Sequence, residues 1–89
     1  MSKLTLRNYL FKRKLKNINN SITFFKKAIE LNPNYINALY NLGVVYFEID
    51  KYEESSVYFK KVLEINPKHL ATLNNFGLLL KKTKNIDIV

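Results

Sequence analysis

Two prolines set 34 residues apart constrain this chain more than any other feature. Pro33 and Pro67 each close a similar phrase, Ala28-Ile29-Glu30-Leu31-Asn32-Pro33 and Val62-Leu63-Glu64-Ile65-Asn66-Pro67. The only glycines, Gly43 and Gly77, keep the same interval, as do Phe25 and Phe59, Leu39 and Leu73, and the pairs Lys26-Lys27 and Lys60-Lys61. A proline disfavours the helical region for the residue before it, so each Asn-Pro ends a helix. The segments between carry apolar residues at helical spacing. A helical repeat of this length is the mark of a solenoid, in which each unit buries its apolar face on its neighbours.

With 89 residues the chain is at most one small domain. An apolar fraction of 47% and an aromatic fraction of 13% give it enough to bury, which argues for a folded chain. The absence of cysteine excludes disulfides, thiolate chemistry and cysteine-based metal sites, and fits a reducing, cytoplasmic setting. No apolar run approaches the roughly 20 residues that span a bilayer. Lys3 and Arg7 interrupt the first residues, against a secretory signal. Residues 1–27 hold eight basic and no acidic residues, as an organellar transit segment also would, but the same stretch is needed to complete a repeat. The net charge of +8 is uneven: +8 over residues 1–27, −3 over 28–67 and +3 over 68–89. Two basic ends around an acidic middle point to an anionic partner surface.

In chain order, residues 3–16 read as a first helix, with Leu4, Phe11, Leu15 and Ile18 at helical spacing and Leu6 and Leu10 widening the face. Asn17-Ile18-Asn19-Asn20 reads as a turn, with Asn19 or Asn20 capping a second helix over about 20–31. A third helix spans about 34–49 with Leu39, Leu42, Val45 and Tyr46 inward. Asp50-Lys51 turns the chain into a fourth, about 52–65, burying Tyr52, Phe59, Val62 and Leu63. A fifth runs from about 68 to 82 with Leu70, Leu73, Phe76, Leu79 and Leu80. Ile86 and Val89 then match the beginning of the fourth helix one period earlier.

A glycine inside a helix costs about 1 kcal/mol relative to alanine. Two of them one period apart require a reason, and the simplest is close approach of a neighbouring helix where a β-carbon would clash. Catalysis finds little foothold. His69 is the only histidine and sits just past a proline, where a surface or interface role is expected rather than that of a base or ligand. Glu53 and Glu54 are adjacent, so on a helix they diverge, and their charge suits a helix N-terminus. No phosphate loop, HExxH or nucleophile motif is present. The chain therefore reads as no enzyme, with no cofactor and no metal site. Its aromatic residues fall mostly on core faces, with Tyr35, Tyr40, Phe47 and Tyr58 the candidates for exposure; this argues against nucleic-acid stacking. Asn19-Asn20-Ser21 has the form of a glycosylation sequon and is taken as coincidental.

The paired phrases, the glycines and the helix–turn–helix of residues 41–67 resemble the tetratricopeptide repeat (TPR) family. Ser55 stands where that family has a small residue on the second helix, facing Gly43, with Tyr46 and Phe59 filling the space beside it. Val62 is larger than the family norm, and Leu80 stands where Tyr46 did. Aligned from Pro33 without a gap, the first unit has Tyr9 for the glycine and Lys12 for the tyrosine. One extra residue in the Asn17–Asn20 turn would instead match Leu4, Asn8 and Phe11 to Leu39, Gly43 and Tyr46. The resemblance implies an all-α fold of antiparallel helix pairs stacked as a right-handed TPR solenoid, about two and a half repeats long. The single TPR domain, 1–89, divides into repeat 1 over about 2–33, repeat 2 over about 34–67 and partial repeat 3 over about 68–89.

It also implies a non-catalytic module that binds a protein or peptide in the concave groove of the first helices of each pair. The groove-facing positions are Asn37, Tyr40, Asn41, Val44, Phe47 and Glu48, then Ala71, Asn74, Asn75, Leu78, Lys81 and Lys82. Asn41 and Asn75, one period apart, form a ladder able to hold a peptide backbone, since an amide both donates and accepts. Tyr40 and Phe47 add apolar contact, and Lys81 and Lys82 favour an extended acidic segment. The chaperone-tail clamp of some family members is not expected: Asn41 fits it, but Leu6, Leu10, Ala71 and Asn75 do not. Two other readings remain open: a basic surface that binds RNA or an anionic membrane, and self-association through the fifth helix, which lacks its partner and should expose Phe76 and Leu80.

Overall fold

A computed structural model describes residues 3–84. It holds four helices, α1 (Lys3–Leu31), α2 (Ile36–Glu48), α3 (Tyr52–Ile65) and α4 (Leu70–Lys84), and no strand among the described residues. Ile86 and Val89, matched above to the start of a further helix, lie outside the described residues.

The repeat is written into the connections as well as the helices. Asn32 Oδ1 accepts the amide of Asn34 at 3.3 Å, and Asn66 Oδ1 accepts that of Lys68 at 3.1 Å. The backbone follows suit: Tyr35 N–H donates to the Asn32 carbonyl, and His69 N–H to that of Asn66. Each Asn-Pro is thus a stop and a turn together. The side-chain amide closes the bend while the proline forbids helical continuation.

Between α2 and α3 the chain reverses without a glycine. Asp50 takes a left-handed conformation with φ 63°. Its N–H donates to the Phe47 carbonyl and that of Lys51 to Tyr46, the paired bonds that satisfy the last carbonyls of a helix. The Tyr52 hydroxyl then donates to the Asp50 carboxylate at 2.9 Å, a bond that raises the Tyr52 pKa. Asp50→Val, β-branched at a left-handed position, is expected to lower stability by about 1–2 kcal/mol in urea unfolding. Asp50→Asn, which tolerates that conformation and still accepts from Tyr52, should stay within about 0.5 kcal/mol of the parent.

The core lies between α2 and α3. Leu39, Leu42, Phe59 and Val62 are fully buried, with Ala38 and Tyr46 nearly so. Tyr46 stacks on Tyr58, ring centroids 5.8 Å apart and 15° from parallel. Gly43 meets the sequence-based expectation: a β-carbon there would lie 2.5 Å from Phe59 Cε1. The Ser55 hydroxyl, also buried, donates to the Gly43 carbonyl at 2.7 Å. Gly77 does not meet it: among the described residues a β-carbon there would touch nothing within 4 Å. The helix α4 buries Leu79 and Thr72 but leaves Leu73, Leu78 and Leu80 exposed, with Phe76 half-buried.

The first unit departs from the expected hairpin. Residues 17–20, read as a turn, are helical, and the two helices placed over 3–16 and 20–31 are one continuous α1. Ser21 and Thr23 hydroxyls donate back to the Asn17 and Asn19 carbonyls at 3.0 Å, the i−4 bonding of side chains within a helix. The physical reason is the lack of a breaker: asparagine disfavours a helix by no more than about 0.7 kcal/mol, whereas proline costs about 3. Only the second half of α1 packs on the rest of the chain. Ile18, Ile22, Phe25 and Ile29 are half-buried, while every residue from 3 to 17 is exposed.

Candidate peptide-binding wall

Two short turns return the chain so that α2 and α4 become neighbours. The Asn75 side-chain amide donates to the Tyr40 hydroxyl at 2.9 Å, joining residues 35 apart in sequence. Tyr40 is further held by the Phe59 ring at 6.1 Å and the His69 ring at 5.3 Å. His69 lies just before α4 and caps it: its Nδ1 accepts the Thr72 N–H at 3.3 Å and is 2.7 Å from Thr72 Oγ1. With the ring proton on Nε2, Nδ1 accepts both bonds, which fixes the ring against Tyr40.

Asn37, Asn41, Asn74, Leu78, Lys81 and Lys82 are exposed on α2 and α4, and Val44 and Phe47 are half-buried. The two ladder asparagines stand in different settings. Asn41 lines a small cleft between α1 and α2 with Phe24, Phe25 and Ala28, whereas Asn75 is tied to Tyr40. Tyr40 and Phe47, assigned apolar contact, each have partners of their own: Phe47 sits 5.5 Å from the Tyr52 ring beside the α2–α3 turn. Lys81, Lys82 and Lys84 occupy the last turn of α4, where the helix dipole favours positive charge, and α4 has no carboxylate.

Sequence reasoning missed Thr72 and the capping role of His69. Thr72 is fully buried, yet a threonine among polar neighbours reads as surface. The signal was its place one period after Ala38, itself nearly buried. On α1, Lys26 Nζ stands 6.0 Å above the Tyr46 ring. Hydrogen bonding with Tyr46 raises the Lys26 pKa and links the helix to the α2–α3 core. No helix among the described residues is long and apolar enough to cross a membrane.

A family model for the tetratricopeptide repeat matches residues 36–69, from the start of α2 to His69. A second, described as TPR repeat, matches residues 12–50, from within α1 to the α2–α3 turn. Together the two cover residues 12–69, more than half of the chain. No curated protein matches the chain.

Proposed function

The chain belongs to the tetratricopeptide repeat family and so is a protein-interaction module, and from that premise we propose that its α2–α4 wall binds an extended acidic peptide. The observation that carries this reading is the Tyr40–Asn75 bond, which holds two helices side by side with polar and basic side chains outward. Asn37, Asn41, Asn74 and the remaining capacity of Asn75 supply donors and acceptors for a peptide backbone. Val44, Phe47 and Leu78 provide apolar contact, and Lys81 and Lys82 attract carboxylates. The role is non-catalytic and its setting cytoplasmic, the latter resting on the cysteine-free sequence.

An array of proline-containing acidic peptides, which cannot form helices, tests the wall. Asn41→Ala/Asn75→Ala is expected to weaken the peptides that bind by about ten- to thirtyfold, the loss of two hydrogen bonds of roughly 1 kcal/mol each. Unchanged affinity across several bound peptides would remove the ladder. Binding to RNA or anionic vesicles through phosphates would instead fall steeply with salt. Self-association through α4 has its own support in the exposed Leu73, Leu78 and Leu80. Sedimentation as a monomer at high concentration would count against it.

A further inference from the structure

One set of α1 positions follows a stricter rule than helix amphipathicity requires. Residues 4, 8, 11, 15, 18, 22, 25 and 29 alternate steps of four and three, the 3.5-residue spacing of a coiled-coil seam. They are Leu4, Asn8, Phe11, Leu15, Ile18, Ile22, Phe25 and Ile29. The seam is used over only half its length. From Ile18 onward it is half-buried, whereas Leu4 is 66% exposed, Phe11 65% and Leu15 45%. The change falls where α2 ends. Phe11, Leu15 and Ile18 line an open cleft of about 360 Å³ with Glu48 and Ile49, and before it none of the described residues covers the seam.

We propose that this uncovered seam docks an acidic amphipathic helix of another protein, laid along α1 in continuation of the line of α2. Charge selects the partner. The positions flanking the seam include Arg7, Lys12 and Lys14, and residues 3–16 contain six basic and no acidic side chains. A second copy of α1 would set these cations against one another, and like charges at flanking positions oppose pairing. A helix with glutamates there is complementary. Asn8, the one polar residue of the seam, adds register, because a lone asparagine at such a position favours a polar residue opposite it.

The layout also favours a helix over a lipid surface. A helix lying in a membrane needs one broad apolar face. Leu6 and Leu10 do not widen the face of Leu4, Phe11 and Leu15 as the sequence reading has it: on the continuous α1 they fall with Tyr9 on the other side of the helix, with basic residues between the two stripes on both sides. Each stripe by itself is the narrow seam that suits a single partner helix.

The test uses the full chain and two designed helical peptides with leucine seams, one flanked by glutamate and one by lysine, each with a single asparagine to face Asn8. Binding of the glutamate peptide and not the lysine peptide is expected. Phe11→Asn/Leu15→Asn should weaken it by about tenfold or more, as two large apolar contacts are lost. Leu6→Asn/Leu10→Asn, on the other stripe, should change it by less than about twofold. Lys12→Glu/Lys14→Glu should exchange the preference, with the lysine peptide now bound; this gain of binding cannot arise from misfolding. Four results would overturn the proposal: no binding of the glutamate peptide, equal binding by the Phe11/Leu15 variant, dimerisation of the chain through α1, or co-sedimentation with phosphatidylserine vesicles that both double asparagine variants reduce alike.

Discussion

Gly43→Ala is expected to destabilise the protein by about 1–3 kcal/mol, although alanine is the better helix former by about 1. The added methyl would lie 2.5 Å from Phe59 Cε1, 2.6 Å from Cδ1 and 3.3 Å from Cζ. A ring can yield to such a contact only if it has somewhere to go. Phe59 has no exposed surface, and the Tyr40 ring lies 6.1 Å away. The Ser55 bond to the Gly43 carbonyl holds the two backbones at their present separation. The clash therefore outweighs the gain in helix propensity.

The decisive measurement is the sign of that effect once the ring is gone. Phe59→Ala should cost about 3–5 kcal/mol by emptying the centre of the core. In that background Gly43→Ala should become stabilising, by about 1 kcal/mol, because propensity remains and the clash does not. Should Phe59→Ala fail to fold, Phe59→Leu, a milder loss of about 1–2 kcal/mol, serves the same cycle. A Gly43→Ala effect independent of residue 59 in urea unfolding would show that the glycine is not there for the ring. Gly77→Ala provides the control: with open space around its β-carbon, it should stabilise the intact protein by about 1 kcal/mol. Two glycines in equivalent positions would then respond with opposite signs.

That contrast marks how far a repeat can be read from its letters. The turns at Pro33 and Pro67, the small contact between Gly43 and Ser55, and the inward set of Leu39, Leu42, Tyr46, Phe59 and Val62 were legible. Each depends on residues close in sequence or on a periodicity the chain shows twice. Gly77 was read by analogy with Gly43, and the analogy failed because a glycine's surroundings depend on which helix lies beside it. The α1 turn was misread for a related reason. Four residues rich in asparagine look like a connection when a hairpin is expected, yet they contain nothing that forbids a helix. The candidate wall was only partly accessible. Spacing put Tyr40, Asn41 and Asn75 on it, but the Tyr40–Asn75 bond and the His69 cap on Thr72 are contacts across units, which no single-helix pattern contains.

Asn19→Pro should remove the first half of α1 from the helix content. Proline at position 19 removes the bond from that N–H to the Leu15 carbonyl and drives its ring against the same carbonyl, at a cost of about 3 kcal/mol or more in a helix interior. In a true turn between two helices the same substitution would be tolerated, since the position would be non-helical or a first helical residue. Residues 3–17 are all exposed, and a helix of their length is marginal alone in water. They remain helical because they extend a segment that Ile18, Ile22, Phe25 and Ile29 fix against the core. Circular dichroism of Asn19→Pro should therefore lose the signal of roughly the first four turns, while the urea midpoint of the α2–α3 core shifts little. If helix content were unchanged, residues 3–16 and 20–31 would form separate helices, and the long seam along α1 would not exist. The glutamate-flanked peptide reads the same break independently: its binding should fall with the helix signal, because a seam of three apolar side chains needs all of its turns in register.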